Sequence, residues 1–161
     1  MQAVRPSKTT IVRVCAVILG LVFLAAGTGK VLGQIDFTHA LESSFFAPAV
    51  AGIVARYLPW VEIGLGLLLV TGLVAKMTAI LSVVLISGFI TSNSWALITL
   101  PETAITCYDC FGVWETLLGY LSPTQALHVD LVLLSLALVI LVLAPAPALL
   151  FRAWANLGDK S

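Results

Sequence analysis

The sequence predicts an all-α integral membrane protein, a four-transmembrane-helix bundle with short interfacial helices in its two outer loops. Three observations lead there. The 161 residues are 60% hydrophobic and only 10% charged, with a mean hydropathy of +1.10, a balance foreign to soluble domains of this size. The apolar residues gather into four runs, at about 11–30, 50–75, 77–97 and 126–143, three of them near the roughly 20 residues that cross a hydrocarbon core and the second longer. The polar intervals between runs one and two and between runs three and four carry helical spacing of their own. One four-helix transmembrane domain, 1–161, accounts for the whole chain.

The first run follows a basic flank of Arg5, Lys8 and Arg13. A signal peptide would share that flank and the small residues Ala25-Ala26-Gly27. Ile11 to Gly29, however, is long enough to span, and Lys30 can snorkel from its end, so an uncleaved helix is expected. Cys15 lies roughly 22 Å along the helix axis from Lys30, and a small buried apolar side chain is the natural reading for it.

Gln34 to Pro48 is too short and polar to span. Asp36 can cap a short helix there, with Phe37, Leu41 and Phe45 on one face and His39 and Glu42 on the polar side. In the second run Pro59 removes a backbone donor, so a kink or restart is expected near Leu58, leaving Pro59 to Ala75 to span and Glu62 one turn inside. Gly64, Gly66 and Gly72 are small enough for close helix contact.

Lys76 closes the second run, and Met77 to Leu97 forms the third. Within Ile98 to Gln125, Trp114, Leu117, Leu118 and Leu121 mark another short amphipathic helix, and Tyr108, Trp114 and Tyr120 suit an interfacial aromatic belt. Ser122-Pro123-Thr124-Gln125 reads as a helix start, with serine as N-cap, proline first and glutamine third. Pro145 and Pro147 end or bend the fourth helix.

In this arrangement Arg5, Lys8, Arg13, Lys76, Arg152 and Lys160 share one side, against Lys30 and Arg56 on the other. The basic side is cytoplasmic by the positive-inside rule, which puts both termini inside a bacterial plasma membrane. The interval between the third and fourth runs then faces an oxidising compartment.

That interval holds Cys107-Tyr108-Asp109-Cys110-Phe111-Gly112. Two thiols with two residues between them can close a small disulfide ring or ligate a metal, while Asp109 disfavours the thiolates. Phe111 stands where a c-type haem motif needs histidine. The bland alternative is a fixed disulfide that staples the loop. Lys30 and Glu62, near the outer ends of their spans, form a natural pair, with His128 and Asp130 entering the same layer. Such a pair could simply lock two helices, or it could form a polar pocket beneath the thiols. A metal site from Cys107, Cys110, His39 and His128 has the right ligand types but no ligand spacing, and no metal is expected.

Three segments resemble the MauE/DoxX group of small four-helix membrane proteins. Gly27-Thr28-Gly29-Lys30 followed by Phe37 is similar to the group's first-helix ending, Tyr57 to Gly66 to its P-x-x-E-x-x-x-G second-helix start, and Cys110-Phe111-Gly112 to its C-F-G loop. The likeness covers roughly residues 11 to 145. One departure stands out: the MauE pattern has one residue between its cysteines, and this chain has two. The resemblance implies that MauE-like proteins assist maturation of the disulfide-rich small subunit of methylamine dehydrogenase beside a thioredoxin-like partner, and that DoxX-like and DoxD-like relatives serve quinone-linked oxidation of sulfur compounds.

Two functions are therefore in view. In the first, Cys107 and Cys110 relay disulfides, exchanging electrons with a thioredoxin-like domain and with a quinone held near Lys30, Trp60, Glu62 and Asp130. In the second, the chain is a non-catalytic anchor or assembly subunit of a larger enzyme, and the cysteines are structural. The expected partners are the lipid bilayer and a thioredoxin-like protein or dehydrogenase subunit, with no nucleic acid.

Overall fold

The structure, a computed structural model, describes residues 8–42, 47–73, 75–99 and 122–144. Five helices occupy them: α1 (Lys8–Leu32), α2 (Gln34–Glu42), α3 (Pro48–Thr71), α4 (Ala75–Thr99) and α5 (Pro123–Leu143). Four of these, all but α2, are long and apolar enough to cross a membrane. The all-α, four-span class is the observed one.

Each long helix buries a stripe with three- and four-residue spacing, the mark of one helical face. On α1 the stripe is Ala16, Leu19, Phe23, Ala26 and Lys30; on α3 it is Ala51, Ala55, Pro59, Glu62, Leu65 and Leu69. On α4 it is Ala79, Ser82, Ile86 and Asn93, and on α5 it is Ala126, Asp130, Leu133, Ala137 and Ile140. Helix α1 packs most extensively on α3, and α4 on α5; α1 also lies along α5, whereas α3 meets α4 over much less of its length. Leu19, Phe23, Leu69, Ile86 and Ile140 fill the apolar centre. Cys15 is half-buried against this core, a free thiol, in line with its reading as an apolar side chain.

The close fit of α1 to α3 depends on glycine. A methyl group on Gly20 would stand 2.8 Å from the Gly66 carbonyl oxygen, and one on Gly66 would stand 2.8 Å from that of Gly20. Gly64 and Gly72, expected to act likewise, meet nothing within 4 Å among the described residues. Gly72 serves the backbone instead. At φ +72° it caps α3 in the left-handed conformation, its N–H donating to the Leu69 carbonyl. That cap ends the helix at Thr71, four residues before the expected Ala75.

Pro59 does not restart the second span. Helix α3 runs unbroken from Pro48 to Thr71, with Pro59 buried inside it. Proline forfeits one intrahelical bond, a loss that an otherwise fully hydrogen-bonded membrane helix tolerates. Pro48 in the first turn marks the true start. The first interfacial helix also begins earlier than expected. Gln34 opens α2, Asp36 sits in its first turn instead of capping it, and Gly33 links it to α1 through bonds to the Gly29 carbonyl and from the Phe37 N–H. Phe37 is buried, His39 and Glu42 form an exposed pair at 3.6 Å, and Phe45 lies outside the described residues.

Helix α5 starts as its sequence predicts. Ser122 Oγ accepts from the Gln125 N–H at 3.3 Å and Gln125 Oε1 accepts from the Ser122 N–H at 2.9 Å, a reciprocal capping box. It ends at Ala144, whose extended ψ of 136° is what a following proline demands. The second interfacial helix and the aromatic belt expected around Trp114 lie outside the described residues, as do Pro145 and Pro147.

Candidate functional site: a buried polar layer

Every polar member of the layer sits on the core stripe of its helix, and that is why it is buried. Lys30 is one turn beyond Ala26 on α1, and Glu62 lies between Pro59 and Leu65 on α3. Asn93 extends the α4 stripe past Ile86, and Asp130 follows Ala126 on α5.

Lys30 Nζ donates to Glu62 Oε1 at 2.6 Å, with the two side chains 4% and 0% exposed. The ammonium also lies 5.5 Å from the Phe37 ring centre and 4.8 Å from that of Phe89, so aromatic faces from α2 and α4 flank it. Asn93 Nδ2 donates to Asp130 Oδ2 at 2.8 Å, tying α4 to α5. Phe89, one turn before Asn93 on α4, sets the two hydrogen-bonded pairs at neighbouring levels of the bundle. Glu62 Oε2 is buried and accepts no hydrogen bond from the described residues.

The expected Lys30–Glu62 pair is present in the geometry, while Asp130 is buried on α5 in its own hydrogen bond with Asn93. Trp60 and His128 are placed otherwise. Each is two residues from a layer member, a rotation of about 200° around an α-helix, and so points away from it. Trp60 is 62% exposed, and His128 is exposed with its Nδ1 2.6 Å from the Thr124 carbonyl oxygen. His39, on α2, is exposed beside Glu42. Cys107 and Cys110 lie outside the described residues.

Three members of the layer are absent from the sequence-based grouping. Asn93 is hidden in the third run, although an amide among apolar residues, at stripe spacing from Ile86, could mark it. Phe37 reads from sequence as part of an interfacial face and of the family-like first-helix ending, and Phe89 carries no polar signal at all.

The layer lies toward one end of the bundle, the end where α1 finishes, α4 finishes and α5 begins. Thr99 is about 9 Å along α4 from Asn93, and Ser122 is about 12 Å along α5 from Asp130. Thr99 and Ser122, the described residues that flank the stretch 100–121, thus both lie on the side nearer this layer.

With that architecture in place, the comparisons with known proteins decide the family. The sequence profile of the methylamine utilisation protein MauE matches residues 8–151. The chain belongs to the MauE family. The match covers all four spans and the three intervals between them, and bears out the MauE part of the expected resemblance; it does not address DoxX. No curated protein and no solved structure shows a significant match. A MauE-family chain with four spanning helices is a multi-pass membrane protein in contact with lipid.

Proposed function

We propose that this MauE-family protein is a membrane thiol-disulfide relay serving maturation of a disulfide-rich partner in methylamine utilisation. Cys107 and Cys110 exchange with a periplasmic thioredoxin-like protein or a dehydrogenase subunit, and a membrane quinone resets the couple. In the oxidising direction two S–H bonds break, one S–S bond forms, and the two electrons and two protons convert quinone to hydroquinone. The reverse direction runs the same balance backwards.

The observation that carries this reading is the position of Thr99 and Ser122, about 9 and 12 Å above Asn93 and Asp130. They flank the stretch 100–121, which carries Cys107 and Cys110 in the sequence, and both lie toward the end of the bundle where Lys30, Glu62, Asn93 and Asp130 gather. A purely structural protein has little use for three ionisable groups inside apolar spans, since each is expensive there. In this reading Lys30, Glu62 and Asp130 form the quinone-facing group, with Trp60 at its lipid side. Residues 1–161 act as one domain of a bacterial inner membrane, with both termini cytoplasmic.

Replacing both cysteines, Cys107→Ser with Cys110→Ser, tests it. The relay reading expects loss of partner disulfide formation with unchanged abundance of the membrane protein. Loss of abundance with partner disulfides intact would instead favour an anchor or assembly subunit stapled by a structural disulfide.

A further inference from the structure

We propose that Glu62 Oε2 is the acceptor of a hydroquinone-binding site that takes the reduced ring in preference to the oxidised quinone. The proposal rests on the relay reading only for the class of ligand. Its starting point is the hydrogen-bond inventory of the layer. Oε1 of Glu62 is engaged by Lys30 at 2.6 Å, and Asn93 engages Asp130 at 2.8 Å. Oε2 is fully buried and accepts from no donor among the described residues. A buried carboxylate oxygen left without a donor is costly and rare in native proteins.

What such an oxygen recruits is a donor. Both polar atoms of an oxidised quinone are carbonyl acceptors, and bringing either to Oε2 sets lone pair against lone pair. A hydroquinone presents O–H instead and makes a charge-assisted bond. The surroundings suit its remaining surface: Phe37 and Phe89 set flat apolar faces 5.5 and 4.8 Å from the Lys30 ammonium that binds the same carboxylate. The layer also lies within apolar spans, where a lipid-soluble ring arrives through the bilayer, and α3 meets α4 over little of its length. Differential affinity for two redox forms moves their equilibrium. Each tenfold preference for the reduced form raises the midpoint potential of the bound couple by about 30 mV. The site thereby makes bound quinone a stronger oxidant and directs the relay toward making disulfides.

The test uses the full chain carrying Cys107→Ser and Cys110→Ser in lipid nanodiscs under anaerobic conditions, so that no thiol consumes the ligand. Binding of a short-chain ubiquinol and of the matching ubiquinone is measured by calorimetry. The expected result is at least about tenfold tighter binding of the ubiquinol, the scale of one charge-assisted hydrogen bond. Adding Glu62→Gln should bring the two affinities together. Equal affinities before that change, a preference that survives Glu62→Gln, or binding of neither form would each overturn the proposal; the last leaves Oε2 to an internal water. If Glu62→Gln does not fold, the ubiquinol-to-ubiquinone ratio of the parent chain decides alone. Because that chain lacks both cysteines, failure of the relay leaves the ratio unaffected, and failure of the ratio leaves disulfide exchange intact.

Discussion

Lys30 and Glu62, thirty-two residues apart in the chain, meet at 2.6 Å with both side chains withdrawn from solvent. The pair fastens α1 to α3 at the level where α4 and α5 contribute Asn93 and Asp130. Removing one partner strands the other as an uncompensated buried charge, which costs about 3–5 kcal/mol, whereas replacing both by apolar residues of similar volume is often neutral. Lys30→Met and Glu62→Leu should therefore each lower thermal stability in detergent, and the double variant should recover most of it. The same double variant should remain inactive in partner disulfide formation. Recovery of activity along with stability would reduce the pair to a helix lock.

Asn93 and Asp130 make a second, weaker case. Asn93→Leu removes the donor to Asp130 Oδ2 and leaves a buried acceptor short, at a cost of about 1–3 kcal/mol. Denaturation midpoints of the variant and its parent check this. An unchanged midpoint would mean that Asp130 finds another donor.

Glycine positions on α3 provide a matched comparison. Gly66→Ala places a methyl group 2.8 Å from the Gly20 carbonyl oxygen and 2.8 Å from Leu24 Cγ, so α1 and α3 must separate, at a cost of about 1–3 kcal/mol. Gly64→Ala meets nothing within 4 Å among the described residues and should be neutral or slightly stabilising. Unfolding of the two variants under identical conditions reads the difference. Similar losses at both positions would show that helix propensity, not close approach, governs the segment.

The spans are legible in the sequence because burial in lipid needs only length and apolar composition, and the capping box at Ser122 is legible because its residues are local. Lys30, Glu62 and Asp130 can be gathered from the sequence because ionisable groups are conspicuous in apolar runs. Facing is harder. Trp60 and His128 group with the layer by proximity in sequence, but a two-residue offset on a helix carries a side chain to the other side. Pro59 misleads for a related reason: its local penalty is real, but the surrounding membrane helix absorbs it. Phe37 and Phe89 become visible only when tertiary packing sets them beside Lys30.

Orientation follows from basic residues and is open to direct assay. Reporter fusions at Ser161 and near Glu102 should localise oppositely, with Ser161 cytoplasmic and Glu102 periplasmic. A periplasmic Ser161 would invert the arrangement and place the cysteines in a reducing compartment.

The central claim is that Cys107 and Cys110 cycle between dithiol and disulfide. Redox titration of the purified protein, with mass detection of both thiols, tests it most directly. The account predicts a midpoint within the exchange-competent range, about −120 to −270 mV. A bond that stays oxidised until below about −300 mV, where structural disulfides lie, would contradict it.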